Sequence, residues 1–183
     1  MTSRAVFRID DVSLNTDPTR LQEMVGALRT RVPGCFIIGA VSPCVHRLPN
    51  GSERVFPSLL NVESDFLVFY RPDRVGIPER LLEHFDEISS HGMVHVDHRL
   101  LDRSAQELSI VLSCALVRSD SFVPPFHKWD ADTESVCQEH RIRLVKREPS
   151  MVHLKYHRYD GPRYYYLHTH DFPSMADFTA QLP

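Results

Sequence analysis

The sequence lacks any apolar run approaching the ~20 residues that a membrane-spanning helix requires. Its first segment, Met1 to Val12, also lacks the apolar stretch of roughly 7–15 residues that marks a secretory leader. These two absences predict a chain that remains in the cytoplasm with no membrane partner. Basic residues are not in excess: 21 Lys and Arg face 24 Asp and Glu, for a net charge of -3 and a pI near 6.4. Nothing electrostatic therefore recommends nucleic acid as a partner. The four cysteines, Cys35, Cys44, Cys114 and Cys137, form no CxxC pair, so buried reduced thiols are expected. No internal repeat and no low-complexity linker interrupts the chain. What is present is ordinary globular material, 42% hydrophobic and 25% charged over 183 residues. One domain spanning 1–183 is expected, and a chain this long can bury roughly 70% of its unfolded surface without covalent staples.

The opening reads as strand–helix–strand. Ala5 to Ile9 is a short apolar strand running into Asp10 and Asp11. Pro18 opens a helix whose Leu21, Met24, Val25 and Leu28 fall at i, i+3, i+4 and i+7, and Pro33-Gly34 stops it. Cys35 to Val41 (CFIIGAV) is a continuous apolar run, the pattern of a strand buried on both faces. That order favours a parallel α/β arrangement. Residues 43 to 64, punctuated by Pro43, Pro49, Asn50-Gly51 and Pro57, suggest a loop or hairpin. Phe66 to Tyr70 is a further strand candidate, and Pro78 opens a helix through about Phe85 with Leu81, Leu82 and Phe85 inward. Ser104 to Glu107 has the spacing of a capping box, ahead of a helix with Leu108, Val111, Leu112 and Ala115 on one expected core face. A polar helix spans about 131–139. Strands are expected at 142–145, 151–156 and 163–167.

Three polar segments carry the candidate chemistry. Asp10-Asp11 closes the first strand, at the carboxyl edge where parallel sheets bind ligands; the pair can divide metal binding and base work, or cap a loop and be solvated. His91 and His95 are four residues apart, which on a helical turn puts both rings on one side; two unrelated surface histidines is the competing reading. Gly92 excludes the HExxH pattern, and Asp97 and His98 just downstream are candidate supporting partners. His168 and His170 follow Tyr164-Tyr165-Tyr166 at the end of the last strand. Phe122-Val123-Pro124-Pro125-Phe126 offers a stiff wall, or an ordinary proline turn.

In their order these segments resemble the polysaccharide deacetylases, the NodB-like carbohydrate esterases. FRIDDV matches a strand ending in Asp-Asp, and CFIIGAV the apolar strand that follows. Glu87-Ile88-Ser89-Ser90-His91-Gly92-Met93-Val94-His95 matches the metal-binding segment EI-x-SH-x-x-x-H. Pro124-Pro125-Phe126 matches the proline–aromatic turn, and YYYLHTHDF the strand delivering a histidine. The resemblance covers about residues 5 to 172. It implies a distorted (β/α) barrel and removal of an acetyl group from an N-acetylated sugar, with surface polysaccharide biosynthesis as the expected setting. It implies Asp11, His91 and His95 as ligands of a divalent metal ion, with zinc favoured. Asp10 would be the general base and His168 the general acid, with His170 the competing acid. Pro124, Pro125, Phe126 and His170 would bind substrate, a small molecule or oligosaccharide. Where the family turn opens on Arg, this chain has Val123; another cation should then orient Asp10, with Lys128 ranked slightly ahead of Arg8. Gly92 replaces a Ser or Thr, and the family's Asp-Trp support is not recognisable between Ile142 and Tyr156. A deacetylase-like carbohydrate-binding module without turnover, and a metal-dependent hydrolase of another bond, are the alternative readings.

Overall fold

The computed structural model describes residues 4–47, 53–54, 74–75 and 79–183. Seven parallel strands form one sheet in the order β8-β7-β6-β2-β1-β10-β9. They are β1 (Val6–Val12), β2 (Phe36–Val41), β6 (Glu87–Ser90), β7 (Ser121–Phe122), β8 (Arg143–Leu144), β9 (Val152–His153) and β10 (Tyr164–His168). The sheet curls into a partial barrel, the expected distorted (β/α) barrel. Contacts across it show the curl. Arg147, just after β8, lies over the ring of Tyr166 on β10 at 5.9 Å, although five positions in the strand order separate the two.

Strand alternation gives the two faces of β1 different jobs. Phe7 and Ile9 face outward into the main apolar core with Ile37, Tyr165 and Leu167. Arg8 and Asp10 face the barrel interior and are buried there. Helix α1 (Pro18–Arg31) covers the outer face. Asp17 caps it by accepting from Thr19 N and Arg20 N, Pro18 occupies the first turn, and Leu21, Met24, Val25 and Leu28 are all buried as their spacing predicts. Phe85 lies against Gly39 of β2, following a helix α2 that is shorter than expected (Glu79–Leu82).

The excursion after β2 contains β3 (Cys44–Arg47), paired antiparallel with β4 (Glu53–Arg54) and with β5 (Arg74–Val75). The hairpin expectation for 43 to 64 is met by that pairing. The strand expected at Phe66 to Tyr70 lies outside the described residues. Among the described residues, no helix is long and apolar enough to cross a membrane.

Helix α3 (Arg103–Val117) departs from its expectation in two ways. Its N-cap is Asp102, which accepts from Ala105 N at 2.8 Å, so Ser104 lies inside the helix and forms no capping box. Its inward face carries Gln106, Ser109, Ile110, Ser113, Cys114 and Val117, whereas Leu112 is 40% exposed. The helix docks on β6 partly through hydroxyl groups: Ser113 Oγ meets Ser90 Oγ at 2.5 Å, and Ser109 Oγ meets His98 Nε2 at 2.9 Å. Hydrogen bonding, together with the Ile110–Cys114–Val117 stripe, selects this face over Leu108, Val111 and Leu112. Helix α4 (Ala131–Glu139) is capped by Asp130, and Cys35, Cys114 and Cys137 are free and buried.

Two glycines predict opposite responses to alanine. A Cβ on Gly39 would come within 2.5 Å of the Phe85 ring, whereas one on Gly26, exposed on α1, meets nothing within 4 Å. Gly39→Ala should cost about 1–3 kcal/mol through overpacking, and Gly26→Ala should add roughly 0.5–1 kcal/mol. Urea denaturation of the two variants checks both signs.

Candidate metal and acid–base site

At the carboxyl ends of β1, β6 and β10 the chain forms a cavity of about 350 Å³. It is lined by Asp10, Asp11, His91, His95, Phe126, His127, His153, Tyr166 and His168. Adjacent strand residues normally face opposite ways, yet Asp10 and Asp11 both reach this cavity. The β1–β2 register shifts between Ile9 and Val12, and Asp11 takes a left-handed φ of 61°. That is an uncommon conformation for a residue with a Cβ.

Asp11 turns to the histidine pair. Its Oδ1 lies 3.4 Å from His91 Nε2 and 3.2 Å from His95 Nε2. The expected helical turn is not what joins the two histidines. Residues 91–97 are irregular, Gly92 has φ of +81°, and a Cβ there would lie 2.8 Å from His98 Cε1. The buried His98 ring fills the space that a side chain at position 92 would need. His91 Nδ1 lies 2.8 Å from the carbonyl of Val123. A carbonyl only accepts, so Nδ1 carries the proton and Nε2 presents a lone pair toward Asp11.

This donor set fits a cation. Asp11 Oδ1 is buried and makes no hydrogen bond among the described residues, although imidazole nitrogens stand beside it. Burial raises the Asp11 pKa, but the flanking imidazoles of His91 and His95 hold it well below the usual carboxylate range. Burial, with His91 alongside, pushes His95 down to about 3. A carboxylate oxygen facing two imidazole nitrogens in a closed cluster is a donor set suited to a divalent ion with open positions. Asp11, His91 and His95 would hold it, as the sequence suggested.

Asp10 is oriented by Arg8, the lower-ranked candidate. The fully buried guanidinium grips the carboxylate with two bonds, Nε–Oδ1 at 2.6 Å and Nη2–Oδ2 at 2.8 Å. Burial alone would raise the Asp10 pKa; the charge of Arg8 reverses this and lowers it. Lys128 is instead half-exposed and lies 3.5 Å from Asp97, which also binds Arg99 and caps the turn at His98. His98 is fully buried with its ring nitrogens on Val96 O and Ser109, and burial pushes it down to about 4.

His168 enters from β10. Its Nε2 is 3.7 Å from Asp11 Oδ2, and its Nδ1 is 3.0 Å from Asp171 Oδ2. The same carboxylate oxygen accepts from the His168 backbone N and from His153 Nε2 at 2.7 Å. Burial lowers the His168 pKa, but the hydrogen bond to Asp171 and the charges of Asp11 and Asp10 outweigh it and leave the pKa raised. His170 is exposed, stacked on His168 at 5.1 Å, and does not line the cavity. Of the proline–aromatic turn only Phe126 lines it, edge-on to His95 at 4.3 Å; Pro124 and Pro125 are buried beneath. His127, His153 and Asp171 are the residues that the sequence reading left unassigned. The acid three residues after His168 was the visible signal for Asp171.

Comparison with solved structures places this fold. The chain has the fold of the family 4 carbohydrate esterases. Over 99% of its length it matches a family 4 carbohydrate esterase from Streptomyces lividans in complex with acetate, at TM-score 0.58 and 14% identity, covering 84% of that chain. It matches the peptidoglycan deacetylase PdaC from Bacillus subtilis at 0.57 and 10% identity, over 98% of this chain and 80% of that one. A mutant of a Bacillus anthracis pseudoenzyme of the same family, with restored enzymatic activity, matches at 0.58 and 10% identity over 98% of this chain, which spans 60% of that one. No protein-family model and no curated protein matches the sequence.

Two outcomes are expected. Alanine at Asp11, His91 or His95 should abolish stoichiometric zinc uptake measured by elemental analysis, whereas Asp10→Asn should retain it. Asp171→Asn should lower the His168 pKa in an NMR titration, because the stabilised form is the imidazolium. Its contribution is present below the ordinary histidine pKa of about 6.5 and is lost as pH rises through the raised folded value. The stability gap between wild type and this variant should therefore narrow on the alkaline side.

Proposed function

We propose that this protein is a metal-dependent deacetylase that hydrolyses the acetyl amide of an N-acetylated sugar. One observation carries the reading: Asp10, Asp11, His91, His95 and His168 line a single cavity, in a fold shared with carbohydrate deacetylases. A bound divalent ion would lower the pKa of water and polarise the acyl carbonyl. The chain supplies the proton traffic. Asp10, held ionised and oriented by Arg8, takes the proton from the attacking water as its oxygen bonds to the acyl carbon. His168, cationic and held by Asp171 through Nδ1, delivers its Nε2 proton to the departing nitrogen as the C–N bond breaks. Acetate and a free amino sugar leave. Phe126, 45% exposed at the cavity's edge, offers an apolar surface to the sugar.

A pseudoenzyme among the similar structures motivates the second reading, a carbohydrate-binding module without turnover. The intact Arg8–Asp10 and His168–Asp171 pairs support catalysis over that alternative.

Zinc-loaded protein should release acetate from at least one member of a panel of N-acetylglucosamine oligomers and peptidoglycan. Sugar binding with no acetate from any of them would establish the module instead. His168→Ala should cut kcat by about 10²–10⁴ with zinc stoichiometry unchanged, and His170→Ala should be much milder. The reverse ranking would move the acid to His170.

A further inference from the structure

We propose that His127 is a specificity-determining residue that donates a hydrogen bond from Nε2 to a hydroxyl of the bound sugar. This rests on the deacetylase reading and deepens it.

The residue is built into the cavity at a cost. Phe126 and His127 both adopt φ of 56°, and consecutive left-handed residues carrying Cβ atoms are uncommon and strained. Both side chains line the cavity, each against a different neighbour. Phe126 packs edge-on against His95 at 4.3 Å, while His127 packs edge-on against Tyr166 at 4.7 Å.

The tautomer of His127 follows from its partner. Its Nδ1 lies 3.1 Å from Arg8 Nη2. A guanidinium only donates, so Nδ1 accepts, and the ring proton sits on Nε2. Burial and the charge of Arg8 push the His127 pKa down to about 4, so the ring is neutral at pH 7. Nε2–H has no hydrogen-bond partner among the described residues, and it is not a buried orphan. It is a fixed, uncharged donor in the wall of the cavity, and its complement is an uncharged acceptor oxygen.

Position decides which oxygen. The acyl carbonyl belongs at the Asp11–His91–His95 cluster, on the Phe126 side. His127 lies against Tyr166 and Arg8, away from that cluster's nitrogens, and is assigned to the sugar ring attached to the amide. A hydroxyl held there is bound equally in the ground and transition states, so its loss raises KM and leaves kcat nearly unchanged.

Two substitutions separate this role from simple support of Arg8. In His127→Asn the amide oxygen replaces Nδ1 as acceptor for Arg8, the left-handed backbone is tolerated, and the Nε2 donor is gone. In His127→Gln the amide nitrogen reaches the Nε2 position and restores the donor. Acetate release from an N-acetylglucosamine oligomer should show KM raised about three- to tenfold in the Asn variant, with kcat and zinc content held and the Gln variant closer to wild type. A wild-type KM in the Asn variant overturns the inference alone. A fall in kcat at constant KM also overturns it, and makes His127 a positioning residue for Arg8. If wild-type protein neither binds nor deacetylates any sugar, the underlying reading fails first and takes the inference with it.

Discussion

Two neighbouring residues of a regular strand cannot share one pocket, and the site depends on breaking that rule at one point. The left-handed turn of Asp11 and the register shift beside it let Asp10 stay with the inner face of β1 while Asp11 swings toward β6. Val12 then rejoins the ladder opposite Val41. A regular strand would leave one carboxylate beside Arg8 and send the other into the apolar core formed by Phe7 and Ile9. A buried, unpaired carboxylate there would cost several kcal/mol. The local strain, of order 1–3 kcal/mol, is thus smaller than the cost of the regular alternative. It also leaves Asp11 Oδ1 buried without a hydrogen bond among the described residues, which suits a metal ligand.

Around this point the proton positions are set by partners that can only donate or only accept. The Val123 carbonyl puts the proton of His91 on Nδ1. The Asp171 carboxylate does the same for His168. Arg8 does the opposite to His127, forcing Nδ1 to accept. The same side chain therefore serves three purposes: a lone pair for a cation, an acid held ready at Nε2, and a neutral donor. Each assignment follows from the chemistry of the neighbour.

Elements whose stability comes from apolar burial were legible in the sequence. The Leu21–Leu28 stripe and the FIIGA strand took the faces their patterns indicate, and the apolar run ahead of Asp10 formed the expected strand. Misreadings arose where hydrogen bonds decide. Helix α3 has one apolar stripe at Leu108, Val111 and Leu112 and another at Ile110, Cys114 and Val117; serine contacts to Ser90 and His98 select the second. The His91–His95 spacing suggested a helix, but the Gly92 turn over the His98 ring joins the same two residues without one. Spacing reported which residues meet and not the backbone that brings them together. His153 was hidden for a related reason: its contact with Asp171 comes from convergence of β9 with the segment after β10, which no local pattern encodes.

The same logic governs how Asp10 is oriented. A bidentate cation beside Asp10 needs a guanidinium in a water-poor interior, not a particular position in the chain. β1 supplies it two residues upstream, on the face Asp10 already occupies. Val123 packs with Ala40 and Val145, and its backbone carbonyl serves the site by fixing His91. Arg8 inside the barrel also gives His127 a donor beside its Nδ1, and so determines what the cavity presents beside Tyr166. One buried charge accounts for both the orientation of Asp10 and the tautomer of His127.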